Sequence, residues 1–221
     1  HLMKLAYDPL RDLAPVTMAV VFPNIVVAHP RVQAKTLAEF VKLAKEKPGT
    51  ITYGSSGIGG AGHLAGALLE QVAQIQLVHV PYKGGGPAMR GLLGGEIDVY
   101  ISTPVAALPH IHSGKANALV STGARRSTAL PNVPTVAESG YAGYEAVNWY
   151  AYLAPAKTPR PIIDRLNQEL GKVLRTPAAV SLLEKQGVDP EPGSPETLAA
   201  YMKREYEVWG KVVKQANIKA E

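Results

Sequence analysis

Short β-branched and apolar runs recur along the first half of the chain, and between them the apolar residues switch to helical spacing. The strand-like runs are IVVAH (25–29), TITYG (50–54), QLVHV (76–80), DVYIS (98–102) and ANALVST (116–122). Between them lie TLAEFVKLAKEK (36–47), HLAGALLEQVAQ (63–74), GPAMRGLLGG (86–95) and VAALPHIHSGK (105–115). This alternation predicts an α/β unit built on a mainly parallel sheet with helices on its faces. After residue 122 the pattern breaks into a proline-rich polar stretch, RRSTALPNVPTVAESGY, and resumes for one further run, VNWYAYLAP (147–155).

The remainder predicts helices. Ile162, Ile163, Leu166, Leu170, Val173 and Leu174 recur at helical spacing, and Val180, Leu182 and Leu183 follow. Leu198, Tyr201, Met202, Trp209, Val212 and Val213 then stripe the last segment. Thr158 before Pro159, and Ser194 with Pro195 and Glu196, are helix-start signals. Three amphipathic helices need a sheet to cover. No strand-like run accompanies them, and the opening segment offers at most one, PVTMAVV. The pattern therefore predicts a second lobe short of strands in this chain, its others lying upstream of His1 or in another chain.

Composition narrows the class. At 221 residues, 46% of them hydrophobic, the chain can bury one large core or two small ones. No apolar run approaches the roughly 20 residues that a membrane helix needs. The opening HLMKLAYDPL lacks a signal peptide's apolar block, so an export signal is expected outside this chain. The absence of cysteine removes disulfides, zinc–thiolate sites and thiol nucleophiles. The net charge of +5 is dispersed: its densest clusters, Lys42, Lys45, Lys47 and Arg125, Arg126, hold no aromatic residue, so nucleic acid is not the expected partner. A mild cationic excess suits small anions. His110 and His112 stand two apart and do not share a helix face, so neither a metal nor another cofactor is expected.

The stretch YGSSGIGGAGHLAGALLEQVA (53–73) carries the chemistry. Gly57, Gly59 and Gly62 spell G-x-G-x-x-G between a strand and a helix starting near Ala61 to His63. Backbone amides collect at such a helix N-terminus with about half a positive charge, which makes an anion cradle. Ser55 and Ser56 add hydroxyl donors. A dinucleotide site also needs an acidic residue about 20 positions further on, and residues 71–95 contain no Asp or Glu. No G-K-[ST] supplies a P-loop lysine either. Two sister loops follow the next strands: Tyr82 and Lys83 with Gly84 to Gly86, then Ser102 and Thr103 before Pro104. In a parallel sheet such loops gather at the strands' carboxyl ends, where they would form a small cleft favouring a carboxylate.

The segments YDPLRDLAPVT, VVAHPRVQAKTLAEFVKLAKEKPG, ITYGSSGIGGAGHLAGALLEQ, VHVPYKGGGPAMRGLLGGEIDVYISTPVAALPHIHSGK, LPNVPTVAESGY and WYAYLAPAKTP, in this order, strongly resemble the solute receptors of tripartite tricarboxylate transporters, also called Bug-type periplasmic binding proteins. The resemblance runs the whole length of the chain. It implies a type II periplasmic-binding-protein-like fold, with two α/β lobes of mainly parallel sheet joined by crossing strands. It also implies periplasmic capture of a small organic acid, such as a di- or tricarboxylate, an acidic amino acid or an aromatic acid, for delivery to membrane permease subunits. Family members begin with a strand and a Pro/Gly-rich loop that have no counterpart here. The chain is thus expected to start about a third of the way into such a protein, leaving the cleft one wall. Residues 25–147 would form the complete second lobe, and residues 1–24 with 148–221 the remainder of the first. The ligand-binding role carries over to Ser55, Ser56, Gly59, Gly60, Gly62, His63, Tyr82, Lys83, Ser102, Thr103 and Trp149.

Each of these residues also has a plain structural reading. The glycines could serve only a tight connection, His63 a local cap, Lys83 a solvated turn, and Tyr82 and Trp149 the core. Two other function classes stay open. A small-molecule enzyme could use the glycine loop, with Ser56 and His63 as a hydrolytic pair, although no G-x-S-x-G, H-E-x-x-H or Ser-x-x-Lys occurs. An effector-sensing domain of a transcription regulator would share the two-lobed fold, and this chain has no helix-turn-helix. Uncovered apolar helix faces and a sheet edge would suit pairing with a second copy.

Overall fold

The computed structural model describes residues 1–219. Strand β1 (Leu13–Pro23) is separated from β2 (Ile25–Ala28) by the single residue Asn24. Five elements follow in alternation: α1 (Leu37–Glu46), β3 (Thr52–Ser55), α2 (Ala61–Ala73), β4 (Val78–Pro81) and α3 (Gly85–Leu93). Then come β5 (Val99–Ser102), α4 (Pro104–His112) and β6 (Asn117–Ser121). After an irregular stretch the chain continues as β7 (Val147–Pro155), α5 (Arg160–Leu174), α6 (Pro177–Glu184), β8 (Asp189–Pro190) and α7 (Pro195–Gln215).

Two sheets result. The larger has the order β4-β3-β5-β2-β6 and the smaller β7-β1-β8. Strand β3 pairs in parallel with β4 and β5, whereas β2 runs antiparallel to both β5 and β6. The smaller sheet is antiparallel throughout. The expectation of mainly parallel sheets in both lobes is therefore corrected for β2 and for the smaller sheet, and the crossings explain why. Strand β1 passes through Asn24 into the larger sheet at the edge where β3, β5 and β6 end, so β2 must run against them. The chain leaves that same edge after β6 and returns as β7, opposite in direction to β1. The expectation of no strand among the C-terminal helices is corrected too: β8 is short, and pairs Asp189 with Val21 and Pro190 with Val20.

The larger sheet is covered on both faces, which is why its strands read as unbroken apolar runs. Alternate residues divide between two cores. Val26, Ala28, Val99 and Ile101 join Leu37, Phe40, Leu69 and Tyr53 on the α1/α2 side. Ile25, Val27 and Tyr100 join Met89, Leu92 and Leu108 on the α3/α4 side. Helix α1 begins where Thr36 Oγ1 accepts the Glu39 N–H while the Glu39 carboxylate accepts the Lys35 N–H, a reciprocal cap. Its buried positions, Leu37, Phe40, Val41 and Ala44, fall at the spacing of one helix face.

The smaller sheet has thinner cover. Phe22, Val20 and Ala19 pack on Val188 with Leu174 and Leu183; on the other face Met18 meets Leu198 and Met202. Helix α7 starts as expected, with Ser194 Oγ accepting the Thr197 N–H. Helix α5 starts one position later than Thr158 suggested, with Pro159 as the N-cap.

Candidate functional site: a cleft at the crossing of the two sheets

Because β3, β4 and β5 are parallel, the loops that follow them emerge at one edge of the larger sheet. There the N-termini of α2, α3 and α4 border a cleft of about 510 Å³, lined by Ser56, Ala61 and Gly62, by Gly85, and by Thr103. The first amides of each helix have no acceptor in their own helix. In α2 the first to fold back is Leu64, which donates to the Gly60 carbonyl. That leaves Ala61, Gly62 and His63. In α3 it is Ala88, to Gly84, and in α4 it is Ala107, to Thr103. Partial positive charge from three helix ends therefore accumulates on one side of the cleft. Gly62 makes the closest approach possible: a Cβ there would stand 2.6 Å from the Ile101 carbonyl oxygen. Any side chain would push α2 off β5, so this glycine both packs the helix and opens its amide to the cleft.

Beside these amides sits Asn24, 2% exposed and lining the cleft. Its Oδ1 accepts from Asn148 Nδ2 at 3.0 Å, while its own Nδ2 has no partner. A buried amide N–H₂ without an acceptor is costly unless something polar meets it. The crossing is fastened by Thr122, whose Oγ1 accepts the Asn24 N–H at 2.8 Å and donates to the Ala146 carbonyl at 2.6 Å. The Thr122 N–H donates to Asn24 O, and the Ala146 N–H to Thr122 O. Both chain crossings thus meet on one buried hydroxyl.

From β7 and α7 the cleft is lined by Val147, Asn148, Trp149, Tyr150 and Trp209. Strand β7 returns past the crossing and α7 packs back toward α2, so both sheet regions contribute to the lining of the cleft. Of the residues singled out from sequence, Ser56, Gly62, Thr103 and Trp149 line the cleft. The others lie beside or behind it. Ser55 is fully buried; its Oγ donates to Gly57 O and contacts His79 Nε2 at 2.7 Å. Gly60 caps α2, and Gly59, at φ 72, donates its N–H to His63 Nδ1. His63 stacks on His79 with ring centroids 3.7 Å apart, and burial holds both imidazoles below their ordinary pKa, His79 at about 4. Tyr82 packs its ring by Gly54 and Gly91 and donates its hydroxyl to Glu96. Lys83 is exposed on the turn before α3. Ser102 is buried, its Oγ donating to Thr103 O.

Gly85, within the Gly84 to Gly86 loop named from sequence, also lines the cleft, whereas Asn24, Tyr100, Asn148, Tyr150 and Trp209 were not singled out as site residues. One signal was available, because Asn24 is the lone polar residue between the apolar runs VVFP and IVVA. A Ser–His contact does exist, but it joins Ser55 to His79, not Ser56 to His63, and it ties down the glycine loop from behind. Among the described residues no three His, Asp or Glu side chains gather as a metal site.

Two connected sheets with a cleft at their crossing, bordered by three helix N-termini, define a mixed α/β fold. Residues 1–218 match the family described as tripartite tricarboxylate transporter family receptor, and the chain belongs to that family. It is 33% identical over 213 residues to the protein BugT of Bordetella pertussis, covering 96% of this chain and 65% of that protein. The chain therefore spans about 65% of the length of such curated relatives. A Rhodopseudomonas palustris protein solved with adipate superposes with a TM-score of 0.90 at 31% identity, covering 99% of this chain and 73% of the other. MatC from the same organism, with bound malate, gives 0.84 at 28% identity, with 96% and 73% covered.

Proposed function

We propose that the chain forms the ligand-gripping part of a periplasmic solute receptor, which captures a small organic acid and presents it to the permease of a tripartite tricarboxylate transporter. The observation that carries this reading is the meeting of three helix N-termini with the unpartnered Asn24 amide in one cleft at the crossing. Such a site holds a carboxylate through several charge-assisted hydrogen bonds, each contributing roughly 1.5–3 kcal/mol, without a general base or nucleophile. The adipate and malate of the solved relatives are ligands of this chemistry. Residues 25–147 act as one lobe and residues 1–24 with 148–221 as part of the other, and the pair of crossings lets ligand binding shift their relative position. The role is capture without catalysis.

The test is calorimetric titration with adipate, malate and other small carboxylates, paired with thermal denaturation. A ligand at a hundred times its dissociation constant should stabilise the chain by about 2.7 kcal/mol. Ser56 is exposed at the lip of α2, so Ser56→Asp should weaken binding tenfold or more by placing an anion at the helix end. Absence of heat and of stabilisation with every carboxylate, or wild-type affinity in Ser56→Asp, would refute the reading.

A further inference from the structure

Besides the crossing, the elements of the two sheets touch once on each face of the larger sheet. On one face α7 meets α2, where Gln71 Nε2 donates to Gln215 Oε1 at 2.9 Å. On the other, the turn between α6 and β8 reaches α4 at Gly187. A Cβ there would stand 2.7 Å from Pro104 Cβ, 3.3 Å from Ser127 Oγ and 3.4 Å from Ala129 Cβ. These three residues belong with the larger sheet: Pro104 opens α4, and the turn that runs from Ser127 is anchored by Leu130 in the α3/α4 core. Gly187 belongs with the smaller sheet, because Val188 packs on Phe22 and Val20 and Asp189 pairs with Val21. The Arg125–Asp189 ion pair across the same seam is long, at 3.7 Å, and its arginine is largely exposed, so it holds little. Fit, not charge, decides this contact.

Gly187 stands at φ 70, the left-handed region that suits glycine. An added methyl would have to retreat by about 1 Å to reach ordinary carbon–carbon contact. Both sides are anchored, since Pro104 and Val188 are each buried. The displacement would reach the cleft: Thr103, next to Pro104 in sequence, caps α4 and lines the cleft. An amide-to-carboxylate hydrogen bond lengthened by about 1 Å is lost.

We propose that Gly187 is a positioning residue for ligand binding: its missing side chain sets the spacing of the two sheets across the cleft and seats the first turn of α4 against the ligand. Its ligand readout rests on the carboxylate-receptor reading above, whereas amide exchange tests the seam by itself. The experiment compares the full chain with Gly187→Ala, Gly114→Ala and Ala129→Val by urea unfolding, calorimetric titration with adipate and malate, and amide exchange. Gly114 follows α4 at φ 69, with nothing within 4 Å of an added Cβ, so Gly114→Ala carries the left-handed strain alone. Ala129→Val crowds the seam from the other side with no backbone demand. Both glycine variants should lower the urea midpoint. Only Gly187→Ala and Ala129→Val should weaken the acids, by about tenfold and about threefold, and speed exchange in the first turn of α4. Wild-type affinity and exchange in Gly187→Ala, or an equal loss in Gly114→Ala, overturns the assignment and leaves the carboxylate-receptor reading standing. If the natural chain binds neither acid, that reading falls, and exchange decides the seam: acceleration in Gly187→Ala but not in Gly114→Ala supports it, and unchanged exchange overturns it. Should Gly187→Ala show no urea transition, Ala129→Val decides by the same readouts.

Discussion

On the larger sheet, β2 buries Ile25 and Val27 against one helix layer and Val26 and Ala28 against the other, none more than 1% exposed. On the smaller sheet, the outer strand β7 leaves Tyr150 63% and Tyr152 48% exposed, and α6 buries no side chain. The same chain thus builds one closely covered scaffold and one thinly covered arm. The division suits a receptor cleft. Backbone amides must stand within a few tenths of an ångström of their target to grip an anion, and only a packed scaffold fixes helix ends that well. The arm adds Trp149, Tyr150 and Trp209 to the lining from its thinner cover.

The comparison breaks most visibly under core truncation. Phe40 is fully buried in the α1/α2 core, so Phe40→Ala should cost about 3–5 kcal/mol in urea unfolding. If it cost under about 1 kcal/mol, the larger sheet would not be the tighter half. A step smaller is the seam itself. Thr122→Val keeps the volume but leaves the Asn24 N–H and the Ala146 carbonyl without their shared hydroxyl, and should cost about 1–3 kcal/mol. Because both crossings lose their fastening together, amide exchange should accelerate around residues 24 and 146 ahead of the sheet centres. Unchanged exchange there would show that the backbone pairs alone hold the crossing.

The glycine loop offers a pH test that the arm lacks. His63 and His79 stack under Tyr53, next to the Ser55 hydroxyl, and both are held below the ordinary imidazole pKa, His79 at about 4. The unfolded chain therefore binds more protons than the fold between roughly pH 6.5 and 4, and stability should fall as pH drops through that window. His63 Nδ1 must stay unprotonated to accept the Gly59 N–H, so acid also loosens the loop that precedes α2. Burial raises the nearby Glu70 carboxyl, whose contribution has the opposite sign, so the informative quantity is a difference. His79→Gln keeps a polar partner for Ser55 and should flatten the stability profile between pH 6.5 and 4 relative to the natural chain. Equal slopes in the two proteins would assign the acid sensitivity elsewhere.

Much of the scaffold was legible in the sequence because local chemistry dictates it. Covered strands read as apolar runs, helix faces repeat at their own period, and a Gly/Ser turn ahead of a helix announces an amide cradle whatever the rest of the fold does. The direction of β2 was not legible, because it depends on a one-residue crossing at Asn24 that carries a single apolar stretch from the smaller sheet into the larger. Nor could sequence separate Ser56 and Thr103, which reach the cleft, from Ser55 and Ser102, which end their strands pointing inward. Trp209 was hidden for a different reason: it lies 60 residues beyond Trp149, and only the packing of α7 brings it to the same cleft.

The smallest expected effect lies on the arm. Ile162, Leu166 and Val173 of α5 are 50%, 41% and 61% exposed and form a stripe facing away from β1. If this face meets only water, Ile162→Ser and Val173→Ser should each change the unfolding free energy by no more than about 0.5 kcal/mol, with solubility rising as apolar surface is removed. If a second copy of the chain covers the face in solution, the same substitutions remove buried area from that contact. Each would then cost on the order of 1–3 kcal/mol, and the natural chain's urea midpoint would rise with protein concentration, as folding linked to association requires. A concentration-independent midpoint with near-neutral substitutions keeps the contrast between scaffold and arm as drawn. A concentration-dependent midpoint makes the arm the half that is completed by its partner, and shifts the weight of stability from the core to the interface.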